Sequence, residues 1–344
     1  MSPHPRLVFD RAPVRVYWEL TRACGLACRH CRAAAIPWRH PGELDAAESL
    51  RLIDRLTTFG DPPPHLILTG GDPLLRPDLF DLIAAARARG IGVSVAPSAT
   101  PLLTPAAIGR LQDAGIEAIS LSLDGSTAAT HDGVRQVPGT FDLTLAAARA
   151  ARDAGLPFQI NTLVAEETLD DLPAIYLLAA RLGAARWSLF FLVAVGRGTV
   201  LEQITPEAGE DLMQWLAAIG RRAPPVVTTT EAPFYRRIAR GTHGAGIRDG
   251  NGIMFISHTG AVQPSGFLPI VAGNVRTDDV VRLYRESDVF RTLRAPGGFA
   301  GRCGRCEYHW QCGGSRARAY AATGDPLGED PLCAYAPRAA YSLI

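Results

Sequence analysis

Seven cysteines occupy two tight groups in a chain of 344 residues. Cys24, Cys28 and Cys31 form a C-x3-C-x2-C run near the start, and Cys303, Cys306, Cys312 and Cys333 form a C-x2-C-x5-C-x20-C run near the end. An odd number in clusters, behind an N-terminus (MSPHPRLVFDRAP) too polar for a secretory segment, is expected of metal ligation in a reducing cytoplasm rather than of disulfides. Soft thiolates select zinc or iron–sulfur. Three thiolates on a four-iron cluster leave one iron free for a small molecule, whereas a structural zinc would recruit a fourth ligand, and His30 is adjacent. The later four saturate one centre, and their spacing alone suits zinc and iron–sulfur equally.

The charged residues exclude other chemistry. All 35 Lys+Arg positions are arginine, set against 34 acids for a net charge of +1. Without lysine there is no Schiff base to pyridoxal phosphate, no lysine base and no P-loop lysine. A balanced charge argues against nucleic acid as partner. The charge-free stretches 91–109 and 250–275 are broken by Pro and Gly, so no membrane span is expected.

Something must position the cysteines. From Val14 to about Val195, short β-rich runs alternate with Ala/Leu/Arg-rich helical ones. The strands are expected at 14–20, 65–69, 92–97, 118–123, 157–164 and 186–193. Helices are expected at 46–59, 77–89, 105–114, 141–154 and 169–182, with Asp45 and Thr104 as N-caps and glycines as stops. Six β/α units in a row imply parallel strands with right-handed crossovers, six-eighths of a TIM barrel. A further helix is expected over Thr205 to Arg222. Beyond about Thr230 the chain is loop-rich, with one hairpin, 252–257 and 261–266, turning at His258-Thr259-Gly260. Such a tail lacks the apolar periodicity for a core of its own and needs a metal staple. The expected division is a barrel over 12–200, a helical linker over 201–229 and a cluster-bearing unit over 230–344.

The cysteine loop after strand one, with Gly70-Gly71-Asp72-Pro73 after strand two, resembles the radical S-adenosylmethionine (SAM) superfamily. The resemblance implies that Cys24, Cys28 and Cys31 hold a 4Fe–4S cluster whose open iron chelates SAM. Reductive cleavage would then give a 5′-deoxyadenosyl radical that abstracts a substrate hydrogen. The family's GGE motif appears as GGD, so Asp72, with Gly70 and Gly71, is expected to hold the SAM ammonium. By the same resemblance Ser98, Ser122, Asp124, Arg135, Asn161 and Leu163 are expected SAM contacts or pocket walls. Each also has an ordinary reading as a turn or barrel-rim residue.

The segment CGRCEYHWQCGGSRARAYAATGDPLGEDPLCAY resembles the C-terminal SPASM region, which carries auxiliary 4Fe–4S clusters. Two further cysteines of that pattern are replaced here, by Ser265 and Arg316. One auxiliary cluster on Cys303, Cys306, Cys312 and Cys333 is therefore expected, on a partial (β/α)6 TIM barrel with a SPASM/twitch-like iron–sulfur domain.

The tail is similar to enzymes that trim tetrapyrrole side chains and to mycofactocin-type peptide maturases. Both classes oxidise or remove groups near a carboxylate, which Arg197, Arg316 and Arg318 are expected to hold. These arginines are otherwise surface charge or partners for Glu329 and Asp330. His131, His258 and Tyr235 are the candidate acids. A reductant such as flavodoxin or ferredoxin is implied. A scaffold that holds iron–sulfur or zinc without catalysis is the alternative of another class.

Overall fold

The computed structural model describes residues 8–220, 224–239 and 246–338. Six β/α units run as the residue pattern requires. The strands are β1 (Arg15–Glu19), β2 (His65–Thr69), β3 (Val93–Val95), β4 (Ala118–Ser122), β5 (Phe158–Val164) and β6 (Arg186–Phe191). Helices α1 (Ala46–Thr57), α2 (Leu79–Ala88), α3 (Pro105–Asp113), α4 (Ala128–Arg135), α5 (Thr140–Asp153), α6 (Leu172–Leu182) and α7 (Pro206–Ile219) follow in chain order. The N-caps work as their chemistry predicts. Asp45 and Glu48 exchange backbone N–H bonds of 2.7 and 2.9 Å in a capping box, and Thr104 accepts from Ala107 N ahead of Pro105. The expected helix over 205–222 spans Pro206–Ile219, and positions 221 and 222 lie outside the described residues.

The six strands are parallel, and the sheet continues beyond them on both sides. Strand β7 (Val226–Thr230), a β-branched run within the stretch expected as helical linker, pairs parallel with β6. Strand β8 (Ile253–Ile256) forms the expected hairpin with β9 (Ala261–Gln263), but its other edge pairs parallel with β1. A short β10 (Gly273–Asn274) closes the order β10-β9-β8-β1-β2-β3-β4-β5-β6-β7. The unpaired amides of β1 and β6 attract these strands, because an edge left open inside a packed protein strands its hydrogen-bonding groups. Among the described residues β7 and β8 do not pair, so the barrel stays open.

Alternation along the strands separates two jobs. Val16, Trp18, Leu66, Leu68, Ile119 and Leu121 are fully or almost fully buried in the main core, while Thr69, Ser120, Ser122 and Asn161 line a cavity. The tail packs over this opening: Leu268, Leu293 and Ala317 bury against Val193, just past β6. No helix among the described residues is long and apolar enough to cross a membrane.

Candidate active site

The cavity, about 220 Å³, opens at the C-terminal ends of the parallel strands, where barrels of this kind place their chemistry. Cys24, Cys28 and Cys31 all line it. The loop that carries them is tied at both ends: Cys24 N donates to Ile36 O at 2.9 Å and Ile36 N to Arg22 O at 3.0 Å. Each thiol also accepts one N–H, from Leu26 N (3.3 Å), Arg135 Nη1 (3.5 Å) and Ala35 N (3.4 Å) respectively. Burial pushes the Cys24 thiol up from its usual value. Metal binding opposes that shift, since a coordinated thiol deprotonates outright.

Gly70 and Gly71 lock this loop to the end of β2. Gly71 N donates to Thr21 O and Asp72 N to Ala23 O, both at 2.7 Å. A Cβ on Gly70, at φ +153°, would lie 2.5 Å from Thr21 O, and one on Gly71 would collide with Ala23 O. The glycines therefore allow the backbone approach that places Cys24. Ser98 bridges the same region, donating to Gly71 O at 2.7 Å with its hydroxyl 3.5 Å from Cys24 Sγ.

Asp72 departs from expectation. Its side chain is fully buried and does not line the cavity; it accepts from Leu74 N (3.1 Å), Ser98 N (3.4 Å) and Thr100 Oγ1 (2.9 Å). One methylene shorter than glutamate, it is used up fastening the loops after β2 and β3. Asp124 and Arg135 do line the cavity, but as a buried ion pair at 2.5 Å. Burial acts against the Asp124 charge, yet Arg135 and the nearby histidines hold its carboxyl below the usual range. Leu163 N donates to Asp124 Oδ1 at 2.7 Å. Ser122, Asn161 and Leu163 line the cavity too, and Asn161 Oδ1 accepts from Gln159 at 2.6 Å.

The arginines divide sharply. Arg197 Nε and Nη1 donate to Cys28 O and Ala35 O at 2.9 Å, while Nη2 is buried without a partner and the residue lines the cavity. Arg316 and Arg318 are corrections: both are fully buried and away from the cavity. Arg316 donates to Pro326 O (3.1 Å) and Gly328 O (2.6 Å), and Arg318 pairs with Asp330 at 3.0 Å. Neither is free to hold a substrate carboxylate.

The candidate acids divide as well. His131 lines the cavity; its Nδ1 accepts from Asp124 N at 3.0 Å, which places the proton on Nε2, a buried donor with no partner. Burial, reinforced by Arg135, depresses His131 to about 4, so it stays neutral at pH 7. His258 and Tyr235 lie outside the cavity lining; His258 Nδ1 sits 2.6 Å from Glu19. The residue pattern missed Arg32, Phe190 and Phe267, and named His30 only as a possible fourth zinc ligand; all four line the cavity. His30 and Arg32 flank Cys31, a usable signal, but nothing local in the sequence marks Phe267, which arrives from the loop after β9.

The second cysteine group encloses a small cavity of about 20 Å³, lined by Cys303, Cys306, Cys312 and Cys333. Burial raises the Cys312 thiol strongly and takes Cys333 to about 11. All seven cysteines are free of disulfides. Among the described residues no group of three or more His, Cys, Asp or Glu converges on a single-ion site. Thiols spread around a space, each with an N–H donor nearby, fit a multi-iron cluster better than one zinc ion.

Comparison with known proteins agrees. The model of the radical SAM superfamily matches residues 18–179. AdoMet-dependent heme synthase of Methanosarcina barkeri is 40% identical, with 96% of this chain and 99% of that protein covered. Mycofactocin maturase MftC of Mycobacterium tuberculosis is 33% identical, over 96% of this chain and 87% of its own length. Streptococcus suis SuiB, solved with S-adenosylmethionine bound, shares the fold at a TM-score of 0.75 and 15% identity, covering 94% of this chain and 78% of that one. Because the relationship to AdoMet-dependent heme synthase spans nearly all of both chains, the chain belongs to the radical SAM superfamily and is a radical SAM enzyme.

Proposed function

We propose that this enzyme oxidises, decarboxylates or removes a side chain of a carboxylate-bearing tetrapyrrole, a haem precursor. The observation that carries the reading is the full-length relationship to AdoMet-dependent heme synthase, at 40% identity against 33% for the peptide maturase. Bound SAM, with the cluster held by Cys24, Cys28 and Cys31, supplies the radical that abstracts a substrate hydrogen. Gly70, Gly71, Ser98, Ser122, Asn161 and Leu163 border the space SAM takes. Arg197 Nη2 and the neutral His131 Nε2–H are assigned to carboxylate oxygens; with Arg135 Nε and His30 Nδ1 they are the buried, unpartnered nitrogens of cavity-lining residues among those described. Phe190 and Phe267 form an apolar wall against which a flat macrocycle packs and which keeps water from the radical. A cavity of about 220 Å³ is small even for SAM, so the substrate meets it at the open mouth.

The four later cysteines hold the auxiliary cluster, whose unit, about 230–344, covers the barrel over 12–200. A flavodoxin or ferredoxin supplies electrons, in the cytoplasm, without nucleic acid or membrane as partner. The test is anaerobic turnover of the reconstituted enzyme with reductant, SAM and carboxylate-bearing tetrapyrroles, followed by mass spectrometry. Loss of a carboxylate together with 5′-deoxyadenosine supports the reading. Turnover of a precursor peptide instead would favour the maturase reading, which the relationship to MftC supports. Intact clusters that release no 5′-deoxyadenosine would falsify the enzymatic reading altogether.

A further inference from the structure

We infer that arginines around the second cysteine group, led by Arg316, poise its cluster to accept an electron. The inference rests on the four-cysteine cluster proposed above. Arg316 stands where the SPASM pattern has a cysteine, and its Nη2 lies 3.5 Å from Cys303 Sγ. The approach depends on Gly314, at φ +69°: a Cβ there would sit 2.6 Å from that Nη2 and 2.9 Å from Cys303 Sγ. Stacking of the guanidinium over Phe299 at 4.5 Å and its two carbonyl partners fix the geometry.

Four more arginines lie near the group, two of them already ion-paired, Arg237 with Glu210 and Arg302 with Glu329 at 3.3 Å. Arg302 Nη1 donates to Cys333 O at 2.9 Å, and Arg236, Arg237 and Arg248 interact electrostatically with Cys312. Arg236 Nη1 and Arg248 Nε are buried without partners. Of the buried carboxylates, Asp330 is paired with Arg318 through two bonds of 3.0 and 3.2 Å, while Asp249 accepts from Arg316 N and Ala317 N at 3.0 Å. Among the described residues the guanidinium groups of Arg316 and Arg236 have no carboxylate partner within ion-pair distance, and buried cations call for an anion, which a cluster with four thiolates would supply. Reduction adds one negative charge, so these guanidiniums and the N–H···S contact favour the reduced state and raise the potential. With all four coordination positions taken, such a cluster would not bind substrate through iron; beyond stapling the tail, electron transfer is the role these arginines would serve. A cluster held by these four cysteines would take up one electron from an oxidised substrate radical, and a one-electron carrier of the flavodoxin or ferredoxin class would remove it.

The test is an EPR-monitored redox titration of the reconstituted holoenzyme, with the first cluster's signal recognised by its response to SAM. Arg316→Gln should make reduction of the auxiliary cluster about tenfold less favourable, a fall of about 59 mV for a one-electron couple, whereas Arg316→Lys should keep most of the wild-type value. If Arg316→Gln does not load iron, the half-exposed Arg302→Gln decides, with a smaller fall in the same direction expected. About eight iron atoms per chain with midpoints unmoved in the loaded variants would overturn the inference while leaving the cluster assignment intact. About four iron atoms in the wild type would overturn both. The assay needs no substrate, so its failure is separable from that of the tetrapyrrole reading.

Discussion

His131 offers a perturbation whose size follows from its surroundings. It is buried at the cavity wall, its Nδ1 is engaged by Asp124 N, and its folded value is depressed from 6.5 to about 4. A histidine held neutral in the fold binds fewer protons there than in the unfolded chain between those two values. Its contribution to stability is therefore full above about pH 6.5 and is lost as pH falls toward about 4. The whole shift corresponds to about 3 kcal/mol, of which about 1.4 kcal/mol has gone by pH 5.5. The assay is anaerobic urea denaturation of wild type and His131→Gln at about pH 7.5 and about pH 5.5, with m-values checked for constancy. Effects of acid on the clusters are common to both proteins and cancel in the difference. The wild type should lose about 1 kcal/mol more than the variant between the two conditions. An equal loss in both, or a larger one in the variant, would refute the claim that His131 is a buried neutral donor.

Other residues yield separate tests. Gly71→Ala drives a methyl into Ala23 O, so iron loading of the first site should fall sharply, as read by iron analysis against an unchanged auxiliary signal. Arg318→Met leaves Asp330 buried and unpaired and should cost about 3–5 kcal/mol in denaturation, with Arg318→Lys recovering part of it. Cys28→Ala should abolish release of 5′-deoxyadenosine, while Cys306→Ala should leave some SAM cleavage uncoupled from product, both read by chromatography. Arg197→Lys should raise KM for a carboxylate-bearing substrate more than it lowers kcat, because one ammonium cannot hold the Cys28 and Ala35 carbonyls and also bind a substrate carboxylate; an unchanged KM would sink that role.

The division of three and four cysteines, the β/α alternation and the helix caps were all legible in the chain by itself. Each is a local signal: ligand spacing within a loop, side-chain periodicity along an element, a polar group one turn from the amides it satisfies. Strand β8 was visible as half of a hairpin, but that it joins β1 was not, because a parallel neighbour nearly the whole barrel away leaves no mark in the residues between. The same limit explains the site. In one dimension Asp72 read as a SAM contact through its GGD motif, and Arg197, Arg316 and Arg318 read alike as candidates for a substrate carboxylate. Which of them faces the cavity depended on which carbonyls and carboxylates, distant in sequence, had already claimed their hydrogen bonds. Tertiary packing consumed Asp72 on Thr100 and Ser98 and buried Arg316 and Arg318 behind the auxiliary site, leaving Arg197 as the one of these four that lines the cavity.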